Sequence, residues 1–257
     1  MLRKRLIFTL IYSNGYFMQS RNFRLQKVGN LEWLEKNYNI QEASKSLDEL
    51  IILNASRAEE DFINFIKIIK RISQKVYIPV SAGGKITKID HIESLFKNGA
   101  DKIVFNSTIY KNPDLVKIAL LKYGSQSIIA SIDYKKDIEK TYNIYINNGQ
   151  KCLEKDLFYH INKIEKIGFG EIYINSIDQD GTGFGYDFSV INTEKIKIKL
   201  PLIFAGGAGN HLHLKEGLIK DQISAVATAN LFNFMNDGLV DARDEILKAG
   251  INLANWK

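Results

Sequence analysis

The sequence predicts an α/β protein folded as a single (β/α)8 barrel, and three observations support this prediction. Strand-like runs rich in Ile, Val and Leu alternate with helical patterns along the whole chain. The two halves repeat at a nearly constant offset, because Glu49 matches Glu171 and Gly83 matches Gly206. A length of 257 residues is ordinary for one TIM barrel. We therefore expect one domain that spans residues 1–257 and contains a twofold half-barrel repeat.

Eight strands are predicted, four in each half. They cover residues 5–11, 48–54, 76–82, 102–106, 127–133, 171–176, 202–205 and 223–228. Helical patterns occupy residues 31–42, 59–75, 88–98, 112–122, 154–167, 188–199, 211–218 and 240–249. This alternation favours a closed barrel over an open doubly wound sheet, since two four-strand halves can close on each other.

Two connections are longer than the others and occupy equivalent points of the two halves. Residues 12–30 follow the first strand, and residues 134–151 follow the fifth. The second connection has a strand-like run before Asn147-Asn148-Gly149, which predicts a small hairpin. In a barrel both connections lie beside the mouth, where the carboxyl ends of the strands meet, so both are candidate lids.

Two glycine turns, each between a predicted strand and a predicted helix, indicate anion-binding loops. Glycines at a helix start leave backbone N–H groups at the positive end of the helix dipole, which suits a phosphate group. Two asparagines, Asn106 and Asn230, lie at or just after the ends of other predicted strands at matching positions of the two halves, and we add them to the candidate contacts. These candidate phosphate or substrate contacts are Gly83, Gly84, Asn106, Gly206, Gly207, Ala208, Gly209 and Asn230.

Asp133 is the candidate catalytic residue. It ends the fifth predicted strand, where barrel enzymes hold their catalytic groups. A carboxyl group beside apolar barrel walls can have a raised pKa and act as a general acid or base. The alternative is a helix cap or a loop ion pair. The equivalent residue of the first half, Ile11, cannot transfer a proton.

A glycine-rich loop after the sixth strand contains Asp180, Gly181 and Thr182, which we take as substrate contacts with turn formation as the alternative. Its spacing lacks the closing glutamate of an EF-hand. The histidines fall in helical patterns, so no metal site and no cofactor are predicted.

Composition excludes several classes of function. The net charge is +6, but the lysines are scattered rather than gathered with aromatic residues, which argues against nucleic-acid binding. No apolar run is long enough to cross a membrane. Cys152 is the only cysteine, which excludes an intramolecular disulfide and suits a reducing cytoplasm.

Charged residues begin four of the predicted strands: Arg5, Glu49, Lys102 and Glu171. In a closed barrel these positions lie together at the amino-terminal floor, where two cations and two anions can alternate in a ring. Residues at this face usually serve stability, so a structural plug is the alternative.

Five segments together resemble the HisF family, the cyclase subunit of imidazole glycerol phosphate synthase. The resemblance covers the chain from Met1 to about Ile251. It is carried by Ala100-Asp101-Lys102, Tyr123-Gly124-Ser125-Gln126, Ser176-Ile177-Asp178-Gln179-Asp180-Gly181-Thr182, Gly185-Tyr186-Asp187 and Ala205-Gly206-Gly207-Ala208-Gly209.

The resemblance implies a function for both ends of the barrel. A HisH-type glutaminase would dock beneath the floor and release ammonia into the barrel axis, and the four charged floor residues would form the ammonia gate. Asp101 would lie at the interface with the glutaminase. At the mouth, ammonia would join a small bis-phosphorylated ribulosyl substrate to give imidazole glycerol phosphate.

Four positions depart from the family pattern, and all lie at the mouth. The second strand-end aspartate is replaced by Ile11, the loop lysine by Gln19, the aspartate ending strand two by Asn54, and the third glycine of the first loop by Lys85. The family includes diverged copies in surface-sugar gene clusters, paired with a glutaminase and a sugar amidotransferase, and this chain resembles those.

Three hypotheses follow. The first is a HisF-type subunit that delivers ammonia to a phosphorylated or sugar acceptor with weak or absent cyclase activity. The second is a working cyclase of histidine biosynthesis in which Asp133 carries both proton transfers. The third is a non-catalytic scaffold that activates a glutaminase.

Overall fold

The computed structural model describes residues 3–38, 40–56, 61–139, 141–191, 198–234 and 238–254. Its centre is a ring of eight parallel strands: β1 (Arg5–Ser13), β4 (Glu49–Asn54), β5 (Val80–Gly83), β6 (Lys102–Phe105), β7 (Ile128–Lys136), β10 (Glu171–Ser176), β11 (Leu202–Ala205) and β12 (Ala225–Thr228). Each pairs in parallel with its neighbour, and the pairing of β12 with β1 closes the ring. The predicted (β/α)8 barrel is confirmed.

Nine helices are described around this ring: α1 (Leu31–Tyr38), α2 (Ile40–Ser44), α3 (Phe62–Ser73), α4 (Ile89–Lys97), α5 (Thr108–Lys111), α6 (Pro113–Tyr123), α7 (Leu157–Ile167), α8 (His211–Ile219) and α9 (Gly238–Lys248). Asn112 and Asp156 cap α6 and α7 by accepting backbone N–H groups of Leu115 and Tyr159. Within the described residues, no helix has the length and apolar character needed to cross a membrane.

Several predicted boundaries were wrong. The helix expected over 31–42 is the pair α1 and α2, with residue 39 outside the described part. The strand expected over 76–82 begins only at Val80, because Pro79 has no N–H group to donate to a sheet. Residues 154–156, expected as helix, belong to strand β9 (Lys151–Asp156), since pairing with the preceding strand overrides local propensity.

The helix expected over 188–199 was also wrong at both of its described ends. Phe188–Val190 form one 3-10 turn, and residues 198–200 are not helical. Residues 192–197 of this prediction lie outside the described residues. The start of the helix expected over 59–75 also lies outside them, at residues 57–60. The short helix α5 was not predicted.

Alternation along the strands divides the core into two layers. On β1, Leu6, Phe8 and Leu10 face the surrounding helices, whereas Ile7 packs inside the barrel. The inner layer consists of Ile7, Ile51, Val104, Ile129, Tyr173, Ile203, Ala205, Ala225 and Ala227, with Leu53 packed against it. The barrel axis is therefore apolar across its middle.

Both long connections are antiparallel extensions of barrel strands, and the predicted hairpin is confirmed. The first contains β2 (Tyr16–Arg21) and β3 (Arg24–Gly29), which extend β1; the second contains β8 (Tyr142–Ile146) and β9, which extend β7. A Cβ atom on Gly149 would lie 2.9 Å from the ring of Phe23. The tips of the two hairpins therefore approach each other over the mouth.

Candidate active site in the barrel mouth

A cavity of about 440 Å³ opens at the carboxyl ends of the barrel strands. We call it the mouth cavity. Ile11, Asp133 and Asn175 line it from strand ends, and both hairpins add to its wall through Gln19 and Asn148. Its place at this face follows from the fold, because strand ends and the loops after them converge there.

Asp133 lies in the mouth cavity and is held by two amide groups. The Nδ2 of Asn106 donates to its Oδ2 at 3.0 Å, and the Nδ2 of Asn175 reaches its Oδ1 at 3.4 Å. Burial raises the pKa of the Asp133 carboxyl to about 7; the Asp180 charge adds to this, while the two amides oppose it. A group with this pKa can both accept and donate a proton near neutral pH.

The opposite strand contributes no second proton-transfer group. β1 and β7 are four strands apart in the ring of eight, and Ile11 lines the mouth cavity from β1. The other carboxylate of the described lining belongs to Asp180, which accepts hydrogen bonds from the Ser20 hydroxyl and the Phe23 N–H. Burial raises the pKa of Asp180 as well, against the effect of these two donors. Asp180 thus anchors the first hairpin.

The glycine turns line two parts of the mouth cavity. Gly84, Gly206 and Gly207 have φ values of 90°, 88° and 112°, which favour glycine. A Cβ atom on Gly84 would lie 2.1 Å from the carbonyl oxygen of Asn54, and one on Gly207 would lie 2.0 Å from that of Gly185. Glycine is therefore required for the approach of these backbones.

The other predicted contacts divide into residues that reach the cavity and residues that do not. Asn106, Asp180, Gly181, Ala208 and Asn230 line it together with the three turn glycines; Gly83, Thr182 and Gly209 do not. Gly83 is packed against Val104, and the Thr182 hydroxyl donates to the Gln179 carbonyl at 2.8 Å. Gly83 therefore belongs to the packing of β5 against β6, and Thr182 to its own turn, and neither lines the cavity.

The four charged floor residues form one closed ring. Arg5 contacts Glu49 at 2.8 Å and Glu171 at 3.0 Å, and Lys102 contacts the same two carboxylates at 3.1 and 3.2 Å. The Ser81 hydroxyl also donates to Glu49, whose side chain is 2% exposed. Burial alone would lower the pKa of Arg5, but the carboxylates of Glu171 and Glu49 outweigh it and raise that pKa.

Between the floor and the mouth cavity the axis holds the apolar inner layer and one hydroxyl pair. Thr9 and Tyr173 approach each other at 3.3 Å between their oxygen atoms. Burial raises the pKa of Tyr173 far above its usual range, so its hydroxyl stays neutral. The described interior therefore offers an uncharged path between two charged ends.

Asp101 lies at the floor, next to the ring residue Lys102. Its Oδ2 accepts the Val80 N–H at 2.8 Å, and the residue is otherwise exposed. A partner beneath the floor can reach this side chain without rearrangement of the barrel.

Sequence analysis missed several cavity residues. Asn175 precedes the end of β10, and a search for amides at strand ends would have found it. Lys111 and Asn148 lie on α5 and on the turn of the second hairpin, and only the closure of these segments over the mouth brings them to the cavity. Among the described residues, no group of three His, Cys, Asp or Glu side chains could hold a metal ion.

The fold and the site define a class: a (β/α)8 barrel with a carboxyl-bearing cavity at its mouth and a ring of ion pairs at its floor. Residues 27–236 match the family described as histidine biosynthesis protein. The chain belongs to this family.

Full-length relatives carry related names. The chain is 38% identical over 257 residues to a protein of Parasynechococcus marenigrum (strain WH8102), provisionally named imidazole glycerol phosphate synthase subunit hisF2; the match covers 100% of this chain and 95% of that protein. It is 33% identical to imidazole glycerol phosphate synthase subunit HisF of Clostridium botulinum (strain 657 / Type Ba4), over 98% and 99% of the two chains. The protein of that name from Prosthecochloris aestuarii (strain DSM 271 / SK 413) is 31% identical, over 98% of each.

Proposed function

We propose that this chain is the barrel subunit of a glutamine amidotransferase of the imidazole glycerol phosphate synthase type. It receives ammonia from a HisH-type glutaminase at the floor and delivers it to a phosphorylated or sugar acceptor in the mouth cavity. The observation that carries the proposal is the ring of Arg5, Glu49, Lys102 and Glu171 on the axis that leads to Asp133.

The interior suits ammonia because it is apolar and uncharged. An ammonium ion would lose its hydration between Ile7, Ile51 and Ile129, at a cost of several kcal/mol. Neutral ammonia carries no such penalty. The ring contacts leave the floor closed, so passage requires the Arg5 or Lys102 side chain to swing away from its carboxylates. We propose Asp101 as part of the glutaminase interface that controls this movement.

Asp133 would act at the other end of the path. Addition of ammonia to a carbonyl carbon forms the C–N bond and turns the C=O double bond into a single bond, which leaves a positively charged nitrogen and a negatively charged oxygen. Transfer of one proton from nitrogen to oxygen neutralises both, and transfer of a second proton releases the oxygen as water and leaves a C=N bond. The Asp133 carboxyl, with its pKa raised to about 7, can accept that proton and return it to a leaving oxygen. The glycine turns at Gly84 and at Gly206–Gly207 would bind the acceptor's anionic or hydroxyl groups.

A second candidate function is a working histidine-biosynthesis cyclase, which we consider because two relatives are named imidazole glycerol phosphate synthase subunit HisF. The residue that distinguishes these two candidate functions is Ile11. Loss of one general acid or base typically lowers a rate about 10²–10⁴-fold. If the mouth has been adapted to another acceptor, cyclisation of the ribulosyl substrate should be weak and should be limited partly by the missing carboxyl group.

The test combines the chain with its glutaminase, amide-¹⁵N glutamine and the bis-phosphorylated ribulosyl substrate. We expect a stable complex, stimulated glutamine hydrolysis and little cyclisation, with Ile11→Asp raising cyclisation about 10²–10⁴-fold. Leu53→Asp is the matched control, because Leu53 pairs with Ile11 in register and also lines the cavity. It should give no increase.

Fast cyclisation by the unmodified chain would instead establish the cyclase. Failure to bind or stimulate any glutaminase would refute the amidotransferase proposal. Stimulation that leaves every ammonia-dependent product unaffected by Asp133→Asn would favour a scaffold.

A further inference from the structure

One tyrosine side chain lies inside the barrel at the inner end of the mouth cavity. Tyr173 belongs to the apolar inner layer and is 4% exposed, yet it also lines the cavity. On β10 it comes two residues before Asn175, which contacts Asp133. Residues two apart on a strand point to the same side and lie about 7 Å apart. Tyr173 is therefore one inward-facing position below the carboxyl group, towards the floor.

The side chain of Tyr173 reaches across the interior to another part of the wall. Strands β11 and β12 separate β10 from β1, yet the hydroxyl oxygens of Tyr173 and Thr9 are 3.3 Å apart. The two intervening strands face the interior with Ala205, Ala225 and Ala227, whose small side chains leave room for the phenol ring. A hydroxyl group carried by β10 is thereby brought to the β1 side of the cavity.

This hydroxyl reaches a side of the cavity where the strand end is apolar. Thr9 and Ile11 line the cavity at alternate positions of β1, and Ile11 has no polar side-chain atom. Thr9 is 2% exposed, and within the described part of the chain its hydroxyl and that of Tyr173 have only each other as hydrogen-bond partners. Either oxygen can be the donor. When Thr9 donates, the Tyr173 proton is available to a molecule in the cavity.

The cavity thus has a carboxyl group on β7 and a neutral hydroxyl donor near β1, on the opposite side of the ring. Burial raises the pKa of the Tyr173 hydroxyl far above its usual range; a hydrogen bond from Thr9 opposes this, and the charges of Asp133 and Asp180 add to it. The phenol therefore keeps its proton and stays a donor. A fixed neutral donor in a water-poor site is suited to stabilise negative charge that develops during a reaction.

We propose that Tyr173 is a catalytic hydrogen-bond donor for the addition of ammonia, with Thr9 as the residue that positions its hydroxyl. As nitrogen adds to the carbonyl carbon of the acceptor, the C=O double bond becomes a single bond and the oxygen becomes negative. The Tyr173 hydroxyl stabilises this oxygen and keeps its own proton. The proton that neutralises the oxygen comes from the nitrogen by way of Asp133. This inference rests on the proposed function in taking the mouth cavity as the site of ammonia addition.

The test measures cyclisation of the bis-phosphorylated ribulosyl substrate by the full chain, with ammonium chloride as the nitrogen source and without glutaminase. We expect a slow rate that exceeds the uncatalysed rate. Tyr173→Phe removes one oxygen atom and retains the ring, so it should lower kcat about 10²–10³-fold, as for loss of an oxyanion donor, with little change in KM. Thr9→Val should lower kcat about two- to tenfold, the effect of one ordinary hydrogen bond.

Tyr134→Phe is the matched control. Tyr134 is also a buried tyrosine and directly follows Asp133, but it packs in the outer layer and its hydroxyl donates to the Asp187 carbonyl at 3.4 Å. Its removal should leave kcat unchanged, and circular dichroism should show that all variants are folded. In an Ile11→Asp chain the added carboxyl group can also supply a proton to the oxygen, so Tyr173→Phe should lower kcat less there than in the unmodified chain.

An unchanged kcat in Tyr173→Phe, an equal loss in Tyr134→Phe, or cyclisation no faster than the uncatalysed reaction would overturn the inference. The glutaminase experiment can fail separately, because ammonium chloride does not require delivery from a partner. Cyclisation that depends on Tyr173 in a chain that binds no glutaminase would refute the amidotransferase proposal and leave this inference standing. Stimulated glutaminase activity with a kcat independent of Tyr173 would do the reverse.

Discussion

The half-buried Asp133 carboxyl should make the protein less stable as pH rises from 4 to 8. Its folded-state pKa is about 7, whereas the ordinary value is 3.8. Between these two values the unfolded chain has released the proton and the folded chain has kept it. Stability is therefore fully present below pH 3.8 and is lost as pH rises through 7.

The size of this effect follows from the two pKa values. Each tenfold difference in proton affinity corresponds to about 1.4 kcal/mol, so the change from 3.8 to about 7 amounts to at most about 4 kcal/mol. Structural relaxation around the cavity would reduce this free-energy difference. Asp133→Asn removes the titrating group and keeps a side chain of the same shape, so the variant should lose this part of the pH dependence.

The assay is urea unfolding followed by circular dichroism at pH 4, 6 and 8. The stability of Asp133→Asn relative to the unmodified chain should rise by about 2–4 kcal/mol from the lowest to the highest pH. Asp114→Asn, at an exposed position of α6, controls for the loss of one negative charge. A difference that is flat with pH, or that falls, would refute the assignment of a raised pKa to Asp133.

Two further predictions concern residues outside the proton-transfer site. Arg243→Met should lower the free energy of unfolding in urea by about 3–5 kcal/mol, because it leaves the buried Asp48 carboxylate, 3.0 Å away, without its cation. Adding Asp48→Asn should recover much of this loss. If the effects of the two substitutions were additive, this explanation would be contradicted. Gly207→Ala should lower the free energy of unfolding by about 1–3 kcal/mol more than Gly168→Ala. Both glycines have a positive φ, but only a Cβ atom at position 207 would clash with the Gly185 carbonyl. Equal melting temperatures of the two variants would rule out that clash.

The predicted fold agrees with the structure wherever the pattern is local and repeated. The run at 171–176 is a strand with the bounds expected, and the run at 202–205 is too. Both are continuous apolar segments, and such segments have few alternatives to a buried parallel strand. Errors lie where the structure depends on pairing between segments: Asp156, expected in a helix, pairs with Asn143 of the neighbouring strand. The end of the helix expected at 199 is also not helical.

The residues of the candidate site also differ in this respect: some positions follow from local sequence, and others depend on contacts between distant segments. Arg5, Glu49, Lys102 and Glu171 were recognisable because barrel closure places the first residues of strands at one face. Thr182 was taken as a substrate contact, but its hydroxyl is used by the turn it belongs to. Sequence gives residue types in a loop but not the direction of each side chain, which depends on the contacts of neighbouring loops.

The sequence by itself determined the barrel, its twofold repeat, the glycine turns and the position of Asp133 at the mouth, although β7 continues beyond Asp133 to Lys136. Hydrophobic periodicity and the backbone freedom of glycine are properties of short segments, so they can be read without knowledge of distant contacts. Tertiary structure alone decided how the hairpins meet at Phe23 and Gly149, how Asp180 holds Ser20, and how Lys85 and Lys111 both come to line the mouth cavity. Those contacts join residues far apart in the chain, and the closed barrel is what brings them within reach.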